Sequence, residues 1–212
     1  MAVYTEVGFA EADALCQRLG LGALTDLQGI RSGIENTNYY AATVRGQWVL
    51  TLFERLPAAE LPYYLGLMQH LAARGIPVPA PQAAADGTLV HTVAGKPAAV
   101  VTRLPGSHRL APDAAHCRQV GPMLGRMHAA VADFPLAKPH GRGLAWWAAT
   151  VPAVLPHLPP PQAALLQEEL TFQQQFAASA ACQALPQGAI HADLFRDNVM
   201  FDDTAGSDRL CG

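Results

Sequence analysis

The pattern of hydrophobic residues changes once along the chain, around residues 104–110, and this change limits the folds open to it. Before it, short runs with a period of two are typical of strands, with one helical stretch among them. After it, apolar residues recur at helical spacing over 113–132 and 161–182. The sequence therefore predicts an α+β fold in two lobes, a β-rich lobe over 1–104 and a mostly helical lobe over 105–212. A crevice between two such lobes is a common place for a small-molecule site.

Turn signals divide each lobe into elements. After an N-terminal helix, strands are expected over 23–30, 39–44, 47–54, 88–93 and 96–104, with a helix over 58–74 between the third and the fourth. In the helical lobe, the apolar stretch 143–161 is predicted to be helical in two pieces, broken at Pro152 and Pro156. Strand-like sequence returns only on the two sides of residues 191–198.

Composition argues against nucleic acid and membranes as partners and against secretion. Lys and Arg number 14 and Asp and Glu number 17, a net charge of −3, which gives no reason to expect nucleic acid or an anionic membrane surface as a partner. The N-terminus lacks the basic and apolar segments of a secretory signal, and no run of about 18 apolar residues predicts a spanning helix. The four cysteines lie far apart without a C-x-x-C pair, so we expect no zinc site, no disulfide framework and a reducing cytoplasm.

The stretch HADLFRDN, residues 191–198, concentrates polar groups in a chain of which only 15% is charged. It has the form H-x-D-x-x-x-x-N, which in the kinase template carries the base for a substrate hydroxyl and an amide that ligates magnesium. Asp193 and Asn198 fill these positions, and a tight loop would bring them close together. Arg196 would neutralise charge near the transferred phosphate. The alternative is a surface turn in which Asp and Asn make ordinary turn hydrogen bonds.

Four stretches extend this match along the chain: GIENTNYY (33–40), LPYYLGLMQHLAARGIPVPAP (61–81), GRGLAWW (141–147) and HADLFRDNVMFD (191–202). In this order they resemble the aminoglycoside-phosphotransferase-like kinases, and within them the homoserine kinases. The resemblance implies a two-lobe protein-kinase-like fold with ATP and Mg²⁺ as cofactors. It also implies phosphorylation of the L-homoserine hydroxyl, a step of threonine synthesis, and it leaves the oligomeric state open.

The resemblance also implies which residues hold the nucleotide. The turn between the first two strands would cover the phosphates, and the strand at 100–104 would lie against adenine. Thr51 stands where the superfamily has a phosphate-pairing lysine, and the replacing cation is left open among Arg31, Arg45 and Arg55. The expected nucleotide-binding residues are Gly29, Arg31, Ser32, Gly33, Asn36, Thr37, Asn38, Thr51, Thr102 and Leu104. A plain hairpin turn and a connector strand are the alternatives for these segments.

Two pairs of aromatic residues complete the predicted site. Trp146 and Trp147 lie where the resemblance implies the substrate pocket, with a place in the core as the alternative. His128 and His191 are expected to be structural, His128 packed beneath the catalytic loop and His191 as a partner of that loop.

The resemblance further implies a second magnesium carboxylate, on a strand that would follow NVMFDD. None of Asp202, Asp203 and Asp208 is well placed to replace it, so we expect a C-terminally truncated and catalytically poor kinase. Three alternatives are kept. They are the same chemistry on another alcohol (choline, an aminoglycoside or methylthioribose), a non-catalytic nucleotide-binding protein, and an unstable fragment.

Overall fold

The computed structural model describes residues 4–31, 35–203 and 208–212. Two of the expected nucleotide-binding residues, Ser32 and Gly33, lie outside these ranges. Within the described part of the chain, no helix combines the length and the apolar character needed to cross a bilayer.

The chain forms two compact units, one of which is built from two separate stretches of the sequence. The first contains residues 1–136 and 189–212, and the second contains residues 137–188. The first unit contains both the sheet and the HADLFRDN loop, so both halves of the predicted site belong to one unit. The lobe boundary predicted between residues 104 and 105 stays a prediction.

A five-stranded antiparallel sheet forms the centre of the first unit, with the strand order β1–β2–β3–β5–β4. The strands are β1 (Leu24–Gly29), β2 (Asn36–Thr43), β3 (Gly46–Phe53), β4 (His91–Val93) and β5 (Lys96–Thr102). Each lies within or close to a run whose period of two predicts a strand. The apolar and polar residues that alternate in the sequence therefore point to opposite faces of the sheet.

The register of the strands decides which polar residues share a face. Two neighbouring rows of paired residues run across the sheet, Thr37–Leu52–Ala98 and Asn38–Thr51–Ala99. Because successive side chains of a strand point to opposite faces, these two rows face opposite sides of the sheet. The two faces are named below after Leu52 and Thr51.

Helix α1 (Phe9–Arg18) covers the Leu52 face. Its buried Leu15 and Cys16 pack in one cluster with Leu50 and Leu52, which are 2% and 0% exposed. This face is thus a dry core, so any polar group on it must find its partner inside the protein.

Helix α2 (Leu61–Ala73) packs on the Thr51 face. Its buried Leu61 and Leu65 contact Ala99, and Pro62 is tolerated because it lies in the first turn of the helix. The other end of α2 meets α3 (Ala114–Ala130) through a separate apolar cluster built on Leu71, Ile76 and Val131. The helix therefore links the sheet to the helical part of the first unit.

The second unit is helical. Its helices are α4 (Leu144–Val154), α5 (Pro160–Ala177) and α6 (Ala180–Gln183), with a 3₁₀ turn over Leu155–His157. The predicted break at Pro152 is wrong, since α4 runs through this residue. Pro152 lies two residues before the end of the helix, so its missing N–H removes a single hydrogen bond near the terminus. The break occurs instead at the 3₁₀ turn that contains Pro156.

The strand expected before the HADLFRDN loop is not formed, because residues 188–190 find no partner strand in the described parts of the chain. After the loop, β6 (Phe201–Asp202) and β7 (Arg209–Leu210) pair as a short antiparallel ribbon. Ser107 joins this ribbon to the segment that leaves the sheet: its N–H donates to the Phe201 carbonyl at 3.0 Å, and the Phe201 N–H donates back at 2.9 Å.

Gly106 permits this close approach. It has a φ of +81°, and a Cβ added there would overlap the carbonyl group of Phe201. We expect Gly106→Ala to lower the free energy of unfolding by about 2 kcal/mol, from backbone strain and displacement of β6. Gly87→Ala is the matched control, because Gly87 has a φ of +86° with no atom within 4 Å of the added Cβ. Its loss should be about 1 kcal/mol, and equal losses in urea unfolding would contradict the role of the contact.

Candidate active site

Residues 191–198 form a tight loop that closes on itself. The Nδ2 group of Asn198 donates to the main-chain oxygen of Asp193 at 2.7 Å and to its carboxylate Oδ2 at 3.2 Å. The Asp193 N–H donates to Nδ1 of His191 at 3.3 Å, across Ala192, whose φ is +60°. The base and amide positions of the motif are thus in direct contact, and His191 is a partner of the loop.

Arg196 ties the loop to the segment before α3. Its Nη1 donates to the main-chain oxygen of Leu110 at 2.6 Å. A guanidinium has five N–H donors, so one bond fixes its position and leaves donors for an anion.

The loop forms part of the wall of an open cavity of about 1210 Å³. The described lining comes from the first unit and includes Glu35, Asn36 and Asn38, His108 and Leu110, and residues 193–198. The structure thus brings the polar end of β2 and the HADLFRDN loop to one space.

Thr51 and Asn38 are bonded to each other on the Thr51 face. The hydroxyl of Thr51 donates to Oδ1 of Asn38 at 2.7 Å. Asn38 lines the cavity, so the residue at the expected lysine position orients a cavity side chain instead of supplying a charge. Gly29, at the end of β1, pairs with Tyr39, the residue that follows Asn38 in β2.

A partly buried polar network lies on the opposite, Leu52 face. Oε1 of Glu54 accepts from the hydroxyls of Thr37 at 2.6 Å and Thr5 at 2.7 Å, and Oε2 accepts from the ammonium of Lys96. The Thr37 hydroxyl also accepts from the N–H groups of Tyr4 and Thr5 at 3.0 and 3.2 Å. Thr37 is 0% exposed, so none of its atoms is open to a nucleotide.

Glu54 is ionised at neutral pH. Burial by itself raises the pKa of its carboxyl, but the hydrogen bonds from Lys96, Thr37 and Thr5 outweigh burial and lower the pKa to about 2. Sequence reasoning missed the pair because its members are 42 residues apart and belong to no motif. One signal was present, since Lys96 is one of only two lysines and opens an otherwise uncharged strand.

Lys96 is not in place to act as the missing phosphate-binding lysine. It lies with Glu54 on the face that α1 covers, whereas Asn38 and the cavity belong to the other face. Arg45 is bonded to the main-chain oxygen of Gly20 at 2.7 Å, near the hairpin turn. The basic residues in the described lining of the cavity are Arg196 and His108, and the expected Arg31 and Arg55 are not among them.

The residues expected at adenine have defined surroundings. The Thr102 hydroxyl accepts from the Ala80 N–H at 2.8 Å, and the Thr102 N–H donates to the Ala80 oxygen at 3.0 Å. Leu104 borders an apolar cavity of about 480 Å³ that α2, α3 and the loop also line. Thr102 therefore joins β5 to the segment of Ala80. The side chain of Leu104 can contact an apolar ring in the cavity.

The remaining predicted residues lie in different surroundings. Trp146 and Trp147 are 46% and 40% exposed on α4 and line a cavity of about 370 Å³ within the second unit, together with Glu169. His128 is exposed on α3, so its expected packing beneath the loop is not observed. Its polar ring has water available instead of a buried partner.

Asp208 belongs to a cluster of charged groups at α3. Arg109 donates to its carboxylate through Nε at 3.1 Å and Nη2 at 2.7 Å, and Nε2 of His116 lies 2.7 Å from it. Nδ1 of His116 lies 2.6 Å from Asp113, which caps α3. Asp208 is thus engaged in holding β7 to α3, in line with its poor suitability as a metal ligand.

We expect stability to fall on the alkaline side through His116. Its hydrogen bonds with Asp208 and Asp113 raise the pKa of the ring. The stabilisation is therefore complete below the unfolded pKa of about 6.5 and is lost as pH rises through the higher folded pKa. His91 has the opposite effect on stability. Burial lowers the pKa of its ring, so the stability that the neutral ring contributes is lost as pH falls.

Melting temperatures from about pH 5.5 to about pH 8.5 test this, because this window extends to both sides of the unfolded pKa of about 6.5. His116→Gln should remove the alkaline fall and keep the acid one. A variant whose profile parallels that of the unaltered protein would contradict the assignment to His116.

The donor atoms of the loop fit a magnesium ion bound mainly by a nucleotide. Asn198 turns its amide nitrogen to Asp193, so its Oδ1 and the Asp193 carboxylate are the oxygen donors. Magnesium in phosphotransfer sites takes one or two such ligands together with phosphate oxygens. Among the described residues, no group of three His, Cys, Asp or Glu could hold a metal on its own.

The sequence decides the family. Residues 26–212 match the phosphotransferase enzyme family. The chain belongs to this family. The match runs from within β1 through the rest of the sheet, α3 and the second unit to the HADLFRDN loop, so the family covers every part of the candidate site.

Several relatives are homoserine kinases. The chain is 56% identical over 203 residues to the homoserine kinase of Polaromonas naphthalenivorans and 51% identical over 201 residues to the homoserine kinase of Paraburkholderia xenovorans. It is 50% identical over 216 residues to that of Burkholderia mallei. These matches cover 96%, 95% and 100% of this chain but 64%, 61% and 65% of the relatives. The chain therefore spans less than two thirds of their length.

Solved structures show the fold. An amicoumacin kinase in complex with AMP-PNP, Ca²⁺ and Ami has a TM-score of 0.57 and 20% identity, over 83% of this chain and 55% of that one. A spectinomycin phosphotransferase in complex with ADP and spectinomycin has a TM-score of 0.58 and 12% identity, over 94% and 67% of the two chains. The predicted kinase-like α+β fold is confirmed.

Proposed function

We propose that this phosphotransferase transfers the γ-phosphoryl group of ATP to the hydroxyl of L-homoserine. The observation that carries the proposal is the contact between Asp193 and Asn198 in the wall of a cavity shared with the polar end of β2. The name homoserine kinase, borne by relatives 50–56% identical to this chain, supports this acceptor over choline, an aminoglycoside or methylthioribose.

Asp193 would act as the base. Its carboxylate takes the proton of the substrate hydroxyl while that oxygen attacks the γ-phosphorus, and the bond to the β,γ-bridging oxygen breaks to release ADP. The hydrogen bond from Asn198 holds the carboxylate in one orientation, which reduces the entropy lost in reaching the reactive geometry.

The phosphates would lie between β2 and the loop. The segment that joins β1 to β2 would offer main-chain N–H groups, expected from Gly29, Arg31, Ser32 and Gly33, and Asn36 and Asn38 would add amides. Arg196, fixed through Leu110, would neutralise charge on the transferred group. Magnesium, when bound, neutralises phosphate charge, with Asn198 as its protein ligand.

The remaining contacts concern adenine and the acceptor. Thr102 and Leu104 would lie beside adenine, and Trp146 and Trp147 would contact substrate. The product would enter threonine synthesis, and we assign the protein to the cytoplasm. The four cysteines, all free thiols, support a reducing compartment.

Calorimetry and product analysis together test the proposal. MgATP is titrated with and without L-homoserine, and O-phospho-L-homoserine is sought by phosphorus NMR beside the Polaromonas enzyme as a positive control. Binding with product supports the proposal, and binding without product on any alcohol of a panel supports the non-catalytic alternative. Product on choline, an aminoglycoside or methylthioribose alone would replace homoserine as acceptor. No binding of MgATP would exclude a nucleotide site in this chain.

A further inference from the structure

We propose that a cavity beside α3 binds a small phosphate-bearing anion at a site separate from the candidate active site. The cavity has a volume of about 730 Å³, within the range of small-molecule sites. Arg118 and Arg126 of α3 and Arg209 of β7 line it, and it shares no lining residue with the cavity of Asp193. It is called the arginine cavity below.

Helical geometry puts two of the arginines on one stripe. Arg118, Pro122 and Arg126 are spaced by four residues, so they lie on the same side of α3, and all three line the arginine cavity. Eight residues of helix separate the two arginines by about 12 Å along the axis. Long guanidinium side chains at this separation can reach one ligand from its two ends.

The third arginine is held in place by its neighbours in the chain. Gln119 of α3 donates through Nε2 to the main-chain oxygen of Asp208 at 2.8 Å and accepts the Leu210 N–H at 3.0 Å. These bonds anchor the residues on both sides of Arg209 to α3, next to the pairing of Asp208 with His116 and Arg109. The main chain of Arg209 is therefore fixed before a ligand arrives, which lowers the entropic cost of binding.

The charges of the arginine cavity do not balance. Three arginines face one carboxylate, Asp202, an excess of two positive charges among the described lining residues. No ion pair within the described ranges joins Arg118, Arg126 or Arg209 to an acid, and the hydrogen bond recorded for Arg126 goes to the sulfur of Met123 at 3.2 Å. The whole chain has a net charge of −3, so this local excess opposes the overall sign.

The guanidinium group identifies the ligand class. Its planar fork matches two oxygens of a phosphate, and charge-assisted bonds of this kind are roughly twice as strong as neutral ones. A doubly charged phosphate group would offset the two excess charges of the arginine cavity. Inorganic phosphate and a phosphate ester share this chemistry, and the volume leaves room for the organic part of an ester.

Calorimetry at low salt tests the site with inorganic phosphate in one arm and O-phospho-L-homoserine in the other. We expect saturable binding of at least the ester, about tenfold weaker in Arg126→Gln and in Arg209→Gln, which corresponds to about 1.4 kcal/mol. Arg18→Gln, at an exposed arginine at the end of α1, is the matched control and should bind as the unaltered protein does.

Arg196→Gln separates this site from the candidate active site. If the anion occupied the loop cavity, Arg196→Gln would weaken binding and Arg209→Gln would not, and the proposal would be overturned. Equal weakening in Arg18→Gln, or no saturable binding of either anion, would also overturn it. The melting temperature of each variant, measured in parallel, confirms that a loss of binding is not a loss of folding.

Discussion

Asp193→Asn should lower the rate of phosphoryl transfer by about 10²–10⁴-fold, the usual contribution of a general base. The amide oxygen cannot take the proton of the attacking hydroxyl, so the nucleophile stays protonated until late in the reaction. The affinity for MgATP should change by less than about tenfold, because in the proposed site most nucleotide contacts would come from β2 and the segment that joins β1 to β2. Initial rates with saturating MgATP and homoserine, together with calorimetry, separate the two effects.

The substitution is close to isosteric and leaves the loop intact. Asn198 donates its shorter bond to the main-chain oxygen of Asp193, which the substitution does not remove. Asp26→Asn, the same change on an exposed position of β1, is the control and should leave the rate unchanged. Equal rates for Asp193→Asn and the control would remove Asp193 from the mechanism, even if the protein proved to be a kinase.

The elements that the sequence predicts well are those whose cause lies within a few residues. The strands of the sheet follow from local alternation, and the contact between Asp193 and Asn198 follows from a motif that is continuous in sequence. The wrong prediction at Pro152 also has a local cause. The loss of stability from a proline depends on its distance from the end of the helix, and the sequence does not define that end closely.

The features that sequence reasoning missed depend on contacts between distant segments. Glu54 meets Lys96 only because β3 and β5 are neighbours in the sheet, a pairing that no local signal encodes. In the same way Arg209 joins Arg118 and Arg126 because Gln119 binds the strand to the helix. Asp193 and Asn198 meet because they belong to one continuous motif, whereas Asn36 and Asn38 reach the same cavity only through the fold.

Lys96→Met should lower the free energy of unfolding by about 3 kcal/mol, because it leaves the Glu54 carboxylate without its cation in a dry part of the sheet. The Glu54 side chain is 10% exposed, and that of Lys96 is 37% exposed, so water compensates the loss only in part. Arg18→Met, at an exposed arginine at the end of α1, is the matched control and should cost less than about 1 kcal/mol. Urea unfolding at neutral pH measures both.

The double variant Glu54→Gln with Lys96→Met should be more stable than Lys96→Met alone, at a cost of about 1 kcal/mol relative to the unaltered protein. Removing both charges leaves no buried carboxylate to desolvate, and the amide oxygen introduced at position 54 can still accept from the two threonines. If the double variant lost the sum of the two single losses, Glu54 and Lys96 would be independent and the network would carry no coupling.

Acid unfolding gives a further test of the same pair. Glu54 has a folded pKa of about 2, below its unfolded value, so its stabilisation is present above about pH 4.5 and is lost as pH falls towards 2. In the double variant this part of the acid loss should disappear. Because Thr37 fixes the start of β2 through Glu54, Lys96→Met should also weaken MgATP binding, whereas Arg18→Met should not. A loss of stability with unchanged MgATP affinity would show that the network supports the sheet but not the nucleotide site.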